Sequence, residues 1–356
     1  MTEKLKKGLG ENPETPISVI VPVFNAQETL QKCLSALAAC ATELTEIIIV
    51  DNGSSDHSFE ICKDFRGSHQ NLRIVLREEI RQGPSAARNA GANYATGEWL
   101  LFTDADCVPS RTWISDYHVH FSEPGLGALA GCIQPYPPSN AIQKAIALFT
   151  LPPITKGILH SGSNLREGFY PTANLAVKKE VFDLVGGFNE NLRYGEDHEL
   201  CHKIYQAGYR IKAITEASVE HIHRSTLKGL WKQAFGFGSS HPFELKYFTS
   251  GRTIVAAPFL AVNRSTPGKW IWIDLNQADK KLILSLIPGF FWLPLCFLPI
   301  FYFFYLCFFI HKIATQRNVI TKMRELPILS ILLLLKSFAL GAGRFLRSFE
   351  HKVLCI

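Results

Sequence analysis

Apolar runs and helix-spaced apolar positions alternate along residues 16–106. Ile17 to Phe24 is a β-branched run that reads as a strand, and Gln27 to Cys40 has helical spacing through Leu30, Cys33, Leu34 and Leu37. Strands are expected again at Glu46–Asp51, Leu72–Leu76 and Trp99–Thr103. Asp56 reads as the N-cap of one intervening helix. Pro84 to Ala95 forms the other, with Pro84 in the first turn, where proline is tolerated. Such β-α-β-α-β-α-β alternation predicts a doubly wound parallel sheet. From there to about residue 225 the pattern is mixed. A strand is expected at Thr172–Val177, a short helix at Lys179–Leu184, a helix opening at Glu196-Asp197 and closed by Gly208, and a strand at Arg210–Thr215.

The fourth strand ends abruptly in Asp104-Ala105-Asp106. Ligands of open α/β sheets sit beyond the carboxyl ends of the strands, where Asn25, Asp51, Asp104 and Asp106 are all expected. Paired carboxylates suit a hard divalent cation, and such a cation brings phosphates with it.

Composition separates the chain into two parts. Of 356 residues 47% are hydrophobic, and the excess collects after residue 280. Leu282 to Ile310 is 29 residues without a charge. As one straight helix it would measure about 43 Å, against a hydrocarbon core of about 30 Å. Pro288, Pro294 and Pro299 invite kinks in it. A second run, Leu326 to Ala342, carries Lys336 near its middle. Two simple crossings would put Lys312, Arg317, Lys322 and Arg324 outside the cytosol, against the positive-inside tendency. The expectation is therefore a re-entrant hairpin followed by an interfacial helix with Lys336 snorkelling, two ordinary spans being the alternative.

The expected organisation is a tail at 1–15, a domain at 16–225 with halves 16–107 and 108–225, basic interfacial helices at 226–281, apolar membrane-associated segments at 282–343 and a tail at 344–356. The net charge of +6 gathers late, at Lys228, Lys232, Arg252 and Lys269 among others, which suits a face on anionic lipid. The N-terminus has no apolar core and does not read as a secretory signal. Nine scattered cysteines without a C-x-x-C pair argue against a disulfide framework and place the soluble part in the cytosol. No nucleic-acid motif is present.

Five motifs in order then resemble the family 2 glycosyltransferases of GT-A fold: Val19-Ile20-Val21-Pro22-Val23-Phe24-Asn25, Ile49-Val50-Asp51-Asn52-Gly53-Ser54-Ser55-Asp56, Gly83-Pro84-Ser85-Ala86-Ala87-Arg88-Asn89-Ala90-Gly91, Thr103-Asp104-Ala105-Asp106, and Gly186-Gly187-Phe188-Asn189-Glu190 with Gly195-Glu196-Asp197. The resemblance covers about residues 16–240. It implies an α/β fold of GT-A type, a mostly parallel nucleotide-binding sheet with a C-terminal membrane-associated helical region. It also implies inverting transfer of a sugar from a nucleotide-sugar, a UDP-sugar by preference, to an acceptor hydroxyl. By that resemblance Asp51 contacts the nucleoside, Pro22, Asn25, Arg88 and Asp104 lie on the nucleotide side, Asp106 with Asp104 holds Mg²⁺ or Mn²⁺, and Asp197 is the general base, Glu196 a bystander. A departing nucleoside diphosphate needs its charge neutralised, and an acceptor hydroxyl needs a carboxylate to take its proton. The Gln-x-x-Arg-Trp element of processive synthases is missing; Arg224 and Trp231-Lys232-Gln233 stand in its place, which argues for single-sugar transfer. The second strand ends in Asp51-Asn52, not two acids. The membrane tail places the enzyme at the cytoplasmic membrane with its site facing the cytosol, and membrane lipid and a lipid-linked or envelope glycan acceptor as partners.

Two other classes compete. His198-Glu199-Leu200-Cys201-His202 fits the H-E-x-x-H pattern of zinc proteases, with Glu216, Glu220 or His223 as a third ligand. The pairs His118/His120 and His221/His223 otherwise read as strand or loop polar residues. A membrane scaffold that kept the fold without the chemistry is the third reading, against which Asp104, Asp106 and Asp197 argue.

Overall fold

The computed structural model describes residues 15–42, 45–162, 168–257, 260–291, 297–317 and 319–356. All but Thr15 of the expected N-terminal tail lies outside them. Contacts divide the chain into two units, 1–134 with 153–221, and 135–152 with 222–356. Residues 135–152, expected within the first domain, join the C-terminal unit instead.

The first unit is built on strands β1 (Ile17–Val23), β2 (Thr45–Asp51), β3 (Arg73–Glu78) and β4 (Trp99–Thr103), with helices α1 (Leu30–Cys40), α2 (Ser58–Ser68) and α3 (Pro84–Tyr94) between them. β2 and β4 are buried at every position, as near-continuous apolar strands covered on both faces should be. β3 carries Arg73, Arg77 and Glu78 and forms the charged edge. Among the described residues the sheet runs β3-β2-β1-β4, then β8 (Asn174–Lys178), β6 (Leu126–Pro135), β9 (Arg210–His221) and β5 (Cys107–Pro109), with β7 (Ile158–His160) also paired to β9 and helices α4 (Trp113–His118) and α6 (Lys179–Leu184) following β5 and β8. The first four strands are mutually parallel. Beyond them β8 and β6 pair antiparallel, as do β9 and β5. β9 therefore extends six residues past the expected Thr215.

Helix α3 sets the backbone of Gly91 directly on the Ile20 side chain of β1. A Cβ on Gly91 would stand 2.5 Å from Ile20 Cγ2, closer than side chains pack. Asp56 does not cap α2. The helix starts two residues later, and Asp56 accepts from Ser58 N at 3.0 Å and from Gln27 N at 3.1 Å, closing a turn and bracing the neighbouring loop. Helix α7 (Glu196–Gln206) closes as expected: Gly208 N bonds Tyr205 O at 3.0 Å and Tyr209 N bonds Ile204 O at 3.2 Å, with Gly208 left-handed at φ 85°.

In the second unit, helix α5 (Ala141–Phe149) and helix α8 (Leu227–Tyr247) accompany three C-terminal helices, α9 (Ala278–Phe291), α10 (Leu298–Gln316) and α11 (Leu326–His351). Residues 226–281 are not helical throughout. After α8 they form strands β10 (Arg252–Ala257), β11 (Leu260–Ser265) and β12 (Trp270–Asp274), and β13 (Leu354–Cys355) from the chain end pairs with β12. The Val- and Trp-rich alternation of this stretch suits a half-buried sheet better than a basic helix. The long apolar run divides into α9 and α10, with 292–296 outside the described residues. Leu298–Gln316 and Met323–His351 are long and apolar enough to cross a membrane, with mean hydropathies of 1.5 and 1.9. Lys336 does not snorkel: its Nζ donates to Phe149 O. Arg317 donates to Ala147 O at 3.1 Å and Thr150 O at 3.4 Å. These cations satisfy the carbonyl end of α5, where positive charge is favourable.

Candidate active site

The acids converge because parallel strands end together. Asp51 closes β2 in register with Val23 of β1, and Asp104 follows β4 on the other side of β1. Two strand spacings, about 10 Å, separate the two ends. Asp104 O accepts from Cys107 N at 2.9 Å, so the chain turns at once and both carboxylates stay at the sheet edge. The Asp104 and Asp106 side chains are about one-third exposed, at 29% and 32%.

Asp51 is buried. Its Oδ2 accepts from Gly53 N at 3.1 Å and Ser54 N at 3.0 Å, whereas its Oδ1 is enclosed with no hydrogen-bond partner. Asn25, left-handed at φ 48°, braces the same loop: its N–H donates to Ser54 Oγ at 3.0 Å and its Oδ1 accepts from Ser55 N at 2.8 Å. Pro22 lies on β1 one residue before its end. Asn52 has a task an acid could not perform. Its amide donates to Glu79 O at 2.9 Å and Arg81 O at 2.7 Å and accepts from Gly83 N at 2.8 Å, which ties β2 to the start of α3.

Arg88 on α3 is buried between two carboxylates, Nη2 lying 2.7 Å from Asp104 and Nη1 3.0 Å from Glu196. Burial pulls its pKa down, yet the charges of Asp104, Glu196 and Asp197 outweigh it and the value is raised. Glu196, passed over in the sequence, is thus a partner of Arg88; burial, and then the charge of Asp197, push its carboxyl pKa up. Glu196 and Asp197 occupy the first turn of α7, whose N-cap Gly195 offers no side chain to the free amides; Asp197 Oδ1 accepts from His198 N at 2.9 Å. The preceding loop is pinned by Asn89, which donates to Phe188 O and accepts from Phe188 N, both at 2.9 Å.

The residue that sequence reasoning missed is His221. It ends β9 opposite Cys107, and its Nε2 is 3.6 Å from Asp106 Oδ1. Asp106, Cys107 and His221 are, among the described residues, the group of three whose side-chain ligand atoms gather, all within 4.8 Å of one another. A histidine at a strand end was the available signal, but only the β5–β9 pairing brings it to Asp106. The donor chemistry of carboxylate and imidazole fits a divalent cation.

The model of the family described as Glycosyl transferase family 2 matches residues 18–188. This chain carries a glycosyl transferase family 2 domain. The chain is 33% identical over 198 residues to Glycosyltransferase AglE of Haloferax volcanii, 55% of this chain and 63% of that protein. It is 27% identical over 237 residues to a Pre-mycofactocin glycosyltransferase of Mycobacterium tuberculosis, 65% of this chain and 48% of that protein. The chain thus spans between about half and just under two thirds of these two relatives. In fold it is similar to the mannosyltransferase PcManGT of Pyrobaculum calidifontis, solved with GDP-Man and Mn²⁺, at a TM-score of 0.55 and 16% identity, covering 91% of this chain and 86% of that one.

Helix α7 lies just beyond the matched residues, and its other side chains have local partners. His198 stacks on Phe169 with ring centroids 5.1 Å apart, and Glu199 is 3.3 Å from Lys203. Among the described residues no group of three metal-ligating side chains forms around His198 and His202. The i, i+4 spacing of His198 and His202 is that of neighbouring turns of α7.

Proposed function

We propose that this protein is a metal-dependent inverting glycosyltransferase that moves one sugar from a nucleotide-sugar to an acceptor hydroxyl at a membrane. The observation that carries this reading is the placement of Asp104 and Asp106 beyond β4, joined through Arg88 to the helix end that bears Glu196 and Asp197. The family match and the donor- and Mn²⁺-bound fold neighbour support it.

Asp106, with Asp104 and His221, would hold Mg²⁺ or Mn²⁺, which supplies positive charge against the diphosphate leaving group. The orphaned Oδ1 of Asp51 accepts a donor N–H of the nucleoside base, which removes the cost of an unpartnered buried oxygen. Pro22 and Asn25 shape that side of the pocket, Asn25 by fixing the loop after Asp51. Asp197 takes the proton of the acceptor hydroxyl. Arg88 neutralises Asp104 and Glu196, so that Asp197 is not one of several unopposed neighbouring negative charges. Direct displacement needs one such base on the face opposite the leaving group and no covalent nucleophile.

Helices α10 and α11 support attachment to a membrane; we take it to be the cytoplasmic membrane, with the family 2 domain on the cytosolic side. Phe301, Phe304 and Phe308 on α10 are exposed, as side chains facing acyl chains would be. A lipid-linked or envelope glycan acceptor follows from that location.

The test is donor binding by protein purified in detergent. A panel of UDP-, GDP- and dTDP-sugars is titrated with Mn²⁺ or with EDTA, for the wild type and Asp106→Ala. Metal-dependent binding of one donor, lost in the variant, is expected. Folded protein that binds none of them would leave a scaffold with a family 2 fold as the better reading.

A further inference from the structure

Cys107 faces His221 across the β5–β9 ladder, and directly opposed residues of an antiparallel pair project to the same side of the sheet. Asp106 precedes it in the chain. The Cys107 Sγ lies 3.9 Å from Asp106 Oδ1, and His221 Nε2 lies 3.6 Å from the same oxygen. One thiol, one imidazole and one carboxylate thus surround a common point, with all ligand atoms within 4.8 Å of each other.

A site meant for Mg²⁺ alone would offer oxygens in octahedral array. This donor set is softer. Zn²⁺ takes sulfur at about 2.3 Å and nitrogen or oxygen at about 2.0–2.2 Å in tetrahedral array, which sets the ligands about 3.3–3.6 Å apart. The Asp106–His221 separation is already at that value, and the sulfur has only to move inward. Asp106 is partly open to solvent on its other side, so an ion can enter and a fourth position stays free for water.

We propose that Asp106, Cys107 and His221 form a binding site for a thiophilic divalent cation, with Zn²⁺ as its type. On binding, the Cys107 S–H bond breaks, its proton passes to solvent, and the electron pair left on sulfur forms the S–Zn bond; nothing is oxidised or reduced. The site shares Asp106 and His221 with the cation of the proposed transfer reaction, and to that extent rests on that reading; Cys107 is the ligand it adds. Zn²⁺ held there displaces Mn²⁺ from Asp106 and inhibits transfer.

The test uses the full chain in detergent and Co²⁺ as a coloured probe for Zn²⁺. The wild type is expected to develop a thiolate-to-cobalt charge-transfer band that saturates at one equivalent and is bleached by Zn²⁺. Cys107→Ser and Cys107→Ala should lack the band and bind Zn²⁺ at least about tenfold more weakly, since even outer-shell losses cost that much. Both should still bind Mn²⁺, which the oxygen and nitrogen ligands hold. A thermal melt of each variant shows that it is folded, and either one suffices. Folded wild type that binds Co²⁺ without the band, or a band that persists in a folded Cys107 variant, overturns the proposal. The donor titration reads separately: a band without donor binding keeps this site and sinks the transferase reading, and the reverse result does the opposite.

Discussion

Arg88 donates to Asp104 across 2.7 Å from a position on α3 that solvent hardly reaches. Its other arm holds Glu196 at 3.0 Å, so one guanidinium links the end of β4 to the start of α7. Removing one member of a buried pair leaves the other charge unopposed, at a cost of about 3–5 kcal/mol. Arg88→Met should therefore lower the denaturant midpoint of the family 2 domain sharply, and Glu196→Gln much less, because a neutral amide still accepts from Arg88. An Arg88→Met variant with the wild-type midpoint would show that packing on Phe188, which methionine keeps, and not charge holds this position.

Asp197 and Asp106 separate by the step they affect. Asp197→Asn should lower kcat by about 10²–10⁴, the range for a general base, while donor binding with Mn²⁺ is kept. Asp106→Asn should lose donor binding itself. Full turnover in Asp197→Asn would transfer the role of base to another residue of the pocket.

Glu46 is a buried acid that should shape acid stability. It accepts from Ser18 Oγ at 2.5 Å, Thr96 N at 2.6 Å and Thr96 Oγ1 at 3.0 Å, and Arg73 stands at 3.2 Å. Burial raises its pKa, but these bonds and then Arg73 prevail and lower it. A lowered folded-state pKa gives stability that is present above the unfolded value, about 4.3, and lost as pH falls through the folded value. Glu46→Gln should be less stable at neutral pH by about 1–3 kcal/mol and show a flatter profile below pH 5. A wild-type profile no steeper than the variant's would remove Glu46 from the account.

Helices α8 and α11 meet on glycines. A Cβ on Gly343 would stand 2.2 Å from Phe235 O, and one on Gly238 2.0 Å from Leu340 O. Overpacking of this kind costs about 1–3 kcal/mol, so Gly343→Ala should lower the detergent melting temperature. Gly341→Ala is the control: its nearest atoms are at 3.7 Å and 3.8 Å, and the gain in helix propensity should leave stability equal or better. Matching losses at both positions would argue against close α8–α11 packing.

The sequence by itself determined the alternating elements of residues 16–106, the parallel sheet and the acids at its edge. It could do so because each of those signals is local: continuous apolar runs, helical spacing, and a polar residue where a run stops. The same locality misled it at Asp56, whose capping residue type serves a turn. What only the tertiary structure decided depends on residues far apart in the chain. Glu196 became a partner of Arg88 through a contact 108 residues long, and His221 met Asp106 because β9 runs on to pair with β5. Lys336 left its expected place at the lipid surface because the carbonyl end of α5, nearly 200 residues earlier, lacked donors. Pairings of that kind satisfy buried charge and backbone polarity, and no window of sequence contains both partners.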